Sequence, residues 1–508
     1  MSMREQWGTR AGFIMAAVGS AIGLGNIWRF PATAYENGGG AFFIPYLFAL
    51  LTAGIPLLIL EFTIGHKYRG SAPLSFSRMN KKAEWIGWWA VFVSFVISTY
   101  YSVIIAWAIS YSIFSFNQSW GTDTEAFLFG EYLQLPDVPG QIGAIVPSVL
   151  IPLIIVWAIT LGVLFKGVKK GIELANRIFI PTLVVIFLII VIRAVTLPGA
   201  AEGLTSFFEP NFEAITSGGV WVAAYGQIFF SLSIAFAIMI TYSSYLPKKS
   251  DITNNAFITG FSNSSFELLA GIGVFAALGF MASQAGVGVE EVVAGGVGLA
   301  FVVFPQIINE FPALSGLFGF LFFASLVLAG LSSLISISET YVKGISEKFG
   351  ISRIAAVSIG GGLAALISLI YATDGGLYFL DAADYFINQF GVALIGLIEV
   401  VAIAWFMRKL GDFQNHANSI SDIRIGGWWK VCLGVITPLV LGYMMFDLFK
   451  QNLLRQFDTD TGNYEGYSNA FINYSGWAVA GFALIAGIIF MLIRWKNKEE
   501  RDDTEEAS

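Results

Sequence analysis

The chain has 508 residues, 56% of them hydrophobic and only 12% charged, about half the charged fraction of a soluble domain. Such a chain cannot cover its surface with water-compatible groups, so a soluble globular protein is excluded and lipid is its solvent. The net charge of −7 comes with no basic patch suited to nucleic acid, and the single cysteine, Cys432, excludes an internal disulfide framework.

The first ten residues, MSMREQWGTR, are polar. Stretches free of Asp, Glu, Lys and Arg then follow at 11–28, 41–60, 86–122, 141–165, 178–192 and 214–247. Further on come 310–338, charged only at its first residue Glu310, and the charge-free 354–373, 385–398, 431–445 and 466–493. Most reach the roughly 18 residues that a membrane-spanning helix needs. The shorter ones suffice once a single ionisable residue faces the protein interior. Adding 252–283, which contains Glu267, makes twelve candidate spans. Continuous apolarity rather than alternation predicts helices, whose backbone groups are satisfied internally. The expected fold class is therefore an all-α polytopic membrane protein with twelve transmembrane helices.

Twenty-four of the 28 Lys and Arg residues fall on the side that holds residues 1–10, which places both termini in the cytoplasm. The expected organisation is a cytoplasmic N-terminus at 1–10, helices 1–5 at 11–195, helices 6–10 at 214–407, helices 11–12 at 427–495, and a charged cytoplasmic tail at 496–508. Two external stretches stand out. One is polar, at roughly 116–140; the other, about 284–313, is broken by Gly and Pro and reads as a lid hairpin.

The first span carries GSAIGLGNIWRFP at 19–31. Gly19 and Gly23 have the spacing that lets helices pack closely. Asn26 adds an amide at membrane depth that needs partners. Glycines beside it let the chain unwind, releasing carbonyl oxygens for a cation and N–H groups for a carboxylate. The run 214–247 covers 34 residues, about 50 Å as one helix against a core of about 30 Å. Its interior FFSLSIAFA, 229–237, holds two serines and suits a break. Two interruptible spans, five apart, point to a transporter site.

GSAIGLGNIWRFP followed by ENGGGAFFIPY resembles the first two helices of the neurotransmitter:sodium symporter family. STYYSVIIAW (98–107), GQIFFSLSIAFAIMITYSSYL (226–246), AGLSSLIS (329–336) and LDAADYF (380–386) follow in that family's order and spacing. The resemblance covers essentially the first ten helices. It implies a five-plus-five inverted repeat, the LeuT-type fold, with unwound centres in helices 1 and 6. It also implies sodium-coupled uptake of amino acids or their derivatives across the plasma membrane by alternating access.

The resemblance further implies two sodium sites. The first takes the backbone of Ala21, the side chains of Asn26, Ser231 and Asn263, and the substrate carboxylate. The second takes carbonyls of Gly19, Ile22 and Ala329 and hydroxyls of Ser332 and Ser333. Such all-oxygen shells suit hard cations. Ser231 and Ser332 stand where the family has threonine, which keeps the hydroxyl but loses some stiffness.

The substrate amine would contact Ala21, Phe230 and Ser233, with Ser231 adjacent. Its carboxylate would meet the Gly23 and Gly25 backbone and the Tyr101 hydroxyl. Ile97, Tyr101, Phe230, Phe236, Ser333 and Ile337 would form the walls, and Leu334 would shrink the pocket. Ala235 and Ala237 replace glycines, which bears on how far helix 6 unwinds. Monoamine-selective relatives have an aspartate at position 23, so a glycine there favours a substrate that brings its own acid group.

An outer gate would pair Arg29 with Asp384 above Tyr101 and Phe230. Arg4, Trp7, Ser244 and Tyr245 match an inner gate, with Glu347 as the expected acid. Glu267 stands where chloride-dependent relatives have a serine, so it would supply the negative charge itself and make transport chloride-independent. Glu61 and Glu399 read as structural partners. His66 and His416 read as cytoplasmic loop residues outside any metal-ligand cluster.

A small neutral amino acid, sodium ions and the bilayer are thus the expected partners, with no nucleic acid and no assigned oligomeric state. GABA, taurine or betaine are alternative substrates, and a sensor sharing the fold is an alternative function. A channel would need a continuous polar pore, and an enzyme a catalytic cluster that this sequence lacks.

Overall fold

The structure is a computed structural model that describes residues 5–457, 464 and 466–496. Arg4 of the expected inner gate and tail residues 497–508 lie outside the described residues. In chain order the principal helices are α1 (Arg10–Ala21), α2 (Leu24–Glu36), α3 (Gly40–Tyr68), α4 (Lys81–Phe114), α5 (Pro147–Phe165), α6 (Val168–Val195) and α7 (Gly218–Ser231). There follow α8 (Ile238–Ser243), α9 (Ile252–Ala285), α10 (Ser315–Phe349), α11 (Arg353–Ala372), α12 (Gly376–Phe406), α13 (Gly427–Gln456) and α14 (Asn469–Leu492).

Among the described residues, ten of these helices are each long and apolar enough to cross a membrane, and α1 with α2 forms an eleventh such unit bent by 52°. The ends follow local chemistry. The Asp251 side chain caps α9 by accepting the Asn254 N–H at 3.0 Å. Gly286 and Gly350 close α9 and α10 in the left-handed region, at φ 69° and 56°, where a Cβ would be penalised. The expected lid hairpin contains a short apolar helix, Gly296–Asn309, whose Phe301 packs edge-on to Trp107 and Tyr111 of α4.

The helices divide into an inner and an outer set. Within the most apolar window, 83% of α4 is buried against protein but only 28% of α6. The inner set also includes α3, α9 and α10, and α4 packs most extensively on α10 and α14. The outer helices turn large apolar side chains outward, such as Ile154 on α5, Ile192 on α6, Phe446 on α13 and Ile485 on α14. In water that surface would be costly; in a bilayer its surroundings are equally apolar. The protein is therefore a multi-pass membrane protein. The inner helices α4, α9 and α10 are the richest in buried polar side chains, and outer helices hold fewer, such as Asn176 of α6 and Asn452 of α13.

Candidate functional site

A helix end leaves its last four carbonyls without an intrahelical partner, and α1 ends deep inside the protein. The Val18 carbonyl accepts the Ile22 N–H at 2.7 Å. The Gly19 carbonyl accepts the Ser332 hydroxyl of α10 at 2.8 Å and the Ser333 hydroxyl at 3.5 Å. The Ser20 carbonyl accepts Ser233 at 2.9 Å and Ser333 at 3.3 Å. Ser332 also reaches the Ala329 carbonyl at 2.8 Å. Gly19, Ala329, Ser332 and Ser333 are thus brought together as a buried set of oxygens; Ile22 is buried too, and its N–H is held by the Val18 carbonyl. The donor set is chemically suited to a hard cation.

A second polar chain begins where α2 starts. The Gly23 N–H donates to Asn26 Oδ1 at 2.9 Å, Asn26 Nδ2 to Asn263 Oδ1 at 2.8 Å, and Asn263 Nδ2 to the Ser231 hydroxyl at 3.1 Å. All four residues are buried, and Ala21 adjoins them. Their oxygens also form a hard-ligand set, with no cationic side chain among them. One turn along α9 from Asn263 lies Glu267, fully buried. Gln227 Nε2 donates to Glu267 Oε1 at 2.6 Å, and the Tyr46 hydroxyl donates to its other oxygen.

The second break separates α7 from α8. Residues 232–237 form no helix, and Ser233, Ala235 and Ala237 stand at φ 53°, 66° and 60°. For alanine this region costs roughly 1–2 kcal/mol per residue, so the substitution of alanine for glycine strains the break without removing it. Neighbouring side chains hold it. Ser233 reaches Ser20, the Ala235 N–H donates to Glu61 Oε1 at 2.7 Å, and Ser94 donates to the Phe236 carbonyl at 2.6 Å.

Between the two breaks lies a cavity of about 380 Å³. Ala21, Gly23, Gly25, Ile97, Tyr101, Phe230, Ser231, Ser233, Phe236, Ser333 and Ile337 all line it. Leu334 does not: it is fully buried, one residue and about 100° around α10 from Ser333. It therefore does not narrow the pocket as the sequence led us to expect. The Leu24 N–H donates to the Tyr101 hydroxyl at 3.3 Å. A Cβ at Gly23 would stand 3.1 Å from both the Tyr101 and the Ser333 hydroxyl oxygens.

Arg29 and Asp384 also line this cavity. Among the described residues no direct ion pair joins them. The Arg29 guanidinium lies 4.6 Å from the Phe230 ring centroid, and Asp384 accepts from Asn388 Nδ2 at 2.9 Å. A second cavity of about 270 Å³ lies beyond, and Arg29, Phe230, Asn388 and Gln389 line both. These four side chains form the partition. Asn388 and Gln389 were not legible as part of it, since an amide on one turn of an apolar helix has no distinctive spacing.

The opposite end is closed. Trp7 donates its indole N–H to the Tyr242 carbonyl at 2.7 Å and its backbone N–H to the Tyr245 carbonyl at 3.2 Å. The Tyr245 hydroxyl donates to Glu339 at 2.5 Å, and Arg353 grips Glu339 at 2.6 Å and Glu5 at 2.9 Å. Burial pushes the Glu5 carboxyl above its usual range, against the pull of Arg353. Ser244 turns back to the Thr241 carbonyl at 2.6 Å. Glu347, the expected acid, is instead engaged by Lys343 at 3.3 Å and by the Ser71 N–H at 2.8 Å. The acid beneath Tyr245 is Glu339, which no motif announces because its partners, Tyr245 and Arg353, come from two other segments.

The histidines also depart from expectation. His66 is buried in the last turn of α3, and its Nδ1 lies 2.9 Å from Nε2 of His416, on the surface helix Leu410–Ile420.

Comparison with known proteins agrees with this layout. The sequence matches the profile of the Sodium:neurotransmitter symporter family over residues 4–131 and 121–498. It is 42% identical over 492 residues to an uncharacterized sodium-dependent transporter of Methanocaldococcus jannaschii, covering 97% of this chain and 98% of that protein. It is 29% identical to the sodium- and chloride-dependent taurine transporter of Bos taurus, covering 98% of this chain and 85% of that one. The fold is similar to the crystal structure of MhsT in complex with L-phenylalanine, with a TM-score of 0.75 and 32% identity, covering 87% of this chain and 99% of that one.

Proposed function

Because the chain belongs to the sodium:neurotransmitter symporter family, which consists of sodium-dependent transporters and not enzymes, we propose that it moves a small neutral amino acid with sodium across the plasma membrane by alternating access. In this reading α1 with α2, and α7 with α8, are two broken spans that bring the total to twelve, with both termini cytoplasmic. Segments 11–195 and 214–407 are the two inverted repeats. The breaks are unwound centres, each offering carbonyls on one side and a helix N-terminus on the other.

The observation that carries the proposal is the relation of α2 to the cavity. The positive end of this 13-residue helix begins at Leu24, beside the Tyr101 hydroxyl and the bare Cα of Gly23. A carboxylate suits such an end. A substrate carboxylate placed there would also lie next to Asn26, Asn263 and Ser231, so one sodium ion and the substrate would share a site. Each would then stabilise the other, which is the coupling a symporter needs. The Gly19, Ile22, Ala329, Ser332 and Ser333 oxygens would take a second sodium ion.

Glu267 extends the argument to chloride. Its carboxylate is received by Tyr46 and Gln227, an arrangement of donors that would equally suit a halide. With the carboxylate in place, transport would run without chloride. Alternating access would open the Arg29–Phe230 partition and the Trp7–Tyr245–Glu339–Arg353 closure in turn.

Amino-acid derivatives such as taurine, GABA or betaine are the second reading, favoured by the taurine-transporter relative. A thermal-unfolding screen of the common amino acids and these derivatives, in sodium and in choline, separates the two. The proposal expects a neutral α-amino acid to stabilise the protein more in sodium than in choline. Stabilisation by a derivative alone favours the second reading, and equal behaviour in the two salts contradicts both.

A further inference from the structure

A groove of about 680 Å³ lies on the outer surface between the start of α4 and the end of α12, with Pro438 of α13 in its wall. Its lining is mostly apolar, including Ile86 and Val401, and two indoles, Trp85 and Trp405, border it. Trp405 is fixed by its N–H, which donates to the Gly434 carbonyl at 2.8 Å, yet it remains 52% exposed, and the adjacent Phe406 is 81% exposed. These side chains need an apolar neighbour that the protein does not provide.

Among the described residues the groove has one charged lining residue, Lys82, and no acidic one. Lys82 sits on a fixed turn, because its backbone N–H is received by Asn80 Oδ1 at 2.9 Å. The sequence adds Lys81 on one side and Arg408 and Lys409 on the other. Lys409 is tied to Asp412 at 3.0 Å. Indoles at one level, basic side chains just beyond and an apolar channel below are the layout of a membrane–water interface.

We propose that this groove is a binding site for an anionic phospholipid. Lys82 takes the headgroup phosphate, and an acyl chain lies along the apolar lining between Trp85 and Trp405. Any lipid could cover the apolar part. The selectivity for net negative charge comes from a lysine with no acidic residue among the described groove lining, since juxtamembrane cations attract anionic headgroups with about 1 kcal/mol each. The inference needs only the membrane-spanning character of the chain and is independent of what it transports.

The test is native mass spectrometry of the delipidated full-length protein titrated with a phosphatidylglycerol or a phosphatidylcholine of identical chains. The wild type is expected to bind phosphatidylglycerol more tightly. Lys82→Ala should weaken that binding about fivefold and leave phosphatidylcholine unchanged, whereas Lys450→Ala, at an exposed position elsewhere, should change neither. Unfolding curves establish that Lys82→Ala is folded. Equal affinity for the two lipids, or an unaffected Lys82→Ala, overturns the proposal. So does inorganic phosphate alone competing in a Lys82-dependent way, which would make this a free-anion site.

Discussion

The backbone N–H of Ala235 donates to Oε1 of Glu61 at 2.7 Å, so a carboxylate buried in α3 holds the break between α7 and α8. Three residues of that break have positive φ, two of them alanines. A strained segment persists only where its surroundings over-determine it, and Glu61 is one of those constraints.

Replacing Glu61 tests this. Glu61→Leu leaves a buried N–H without an acceptor and is expected to cost roughly 1–3 kcal/mol. Glu61→Gln keeps an acceptor oxygen and should cost clearly less. Chemical unfolding of the detergent-solubilised variants measures the difference. Equal losses would mean that shape alone, and not the hydrogen bond, matters at this position.

Gly23 makes a sharper statement about substrate. An aspartate there would direct a carboxylate at the Tyr101 and Ser333 hydroxyls, into the space proposed for the substrate's own acid group. Gly23→Asp is expected to weaken amino-acid binding by more than about tenfold, because two like charges would compete for one helix end. The decarboxylated amine of the same substrate should lose nothing or gain. Calorimetric titration with the pair reads both numbers.

Glu267→Ser should make sodium-driven uptake require chloride. The Tyr46 and Gln227 donors would then face a neutral hydroxyl and recruit an anion. Sodium-driven uptake by the variant is expected to fall about tenfold in gluconate, the equivalent of one charge-assisted hydrogen bond of roughly 1.5 kcal/mol, and to recover in chloride. Wild-type uptake should be the same in both salts.

The two histidines give a pH signature. Burial, followed by the charges of Lys67 and Arg69, holds the His416 imidazole down at about 4, against an ordinary value of 6.5. The unfolded chain therefore binds a proton between those values that the folded chain refuses. The stability from this group is complete above pH 6.5 and declines as the pH drops toward 4. His416→Gln is expected to flatten that part of the stability–pH curve. An unchanged slope would show that His416 is not its source.

Helix content, the long apolar spans and the break after Ala21 are largely local properties, so runs of apolar residues and the Gly19–Asn26 stretch made them legible. The positions around the cavity came from likeness to a family, and eleven of the twelve expected substrate contacts do line it. The twelfth, Leu334, fails for a reason of helical phase. Ser333 and Ile337 share a face of α10, and the residue between them that follows Ser333 directly points elsewhere. At the Trp7 end, Glu347 contacts Lys343 and Ser71 among the described residues, while Glu339, Arg353 and Glu5 form a closure that assembles only on folding. No spacing along the chain announces such a meeting.

A sodium gradient is expected to drive accumulation of a neutral amino acid. Uptake of a labelled amino acid into proteoliposomes, with an inward gradient of sodium or of choline, tests it most directly. Accumulation above the external concentration in sodium, undiminished when gluconate replaces chloride and absent in choline, is the expected result. Equal uptake in sodium and choline, or equilibration without accumulation, would contradict it.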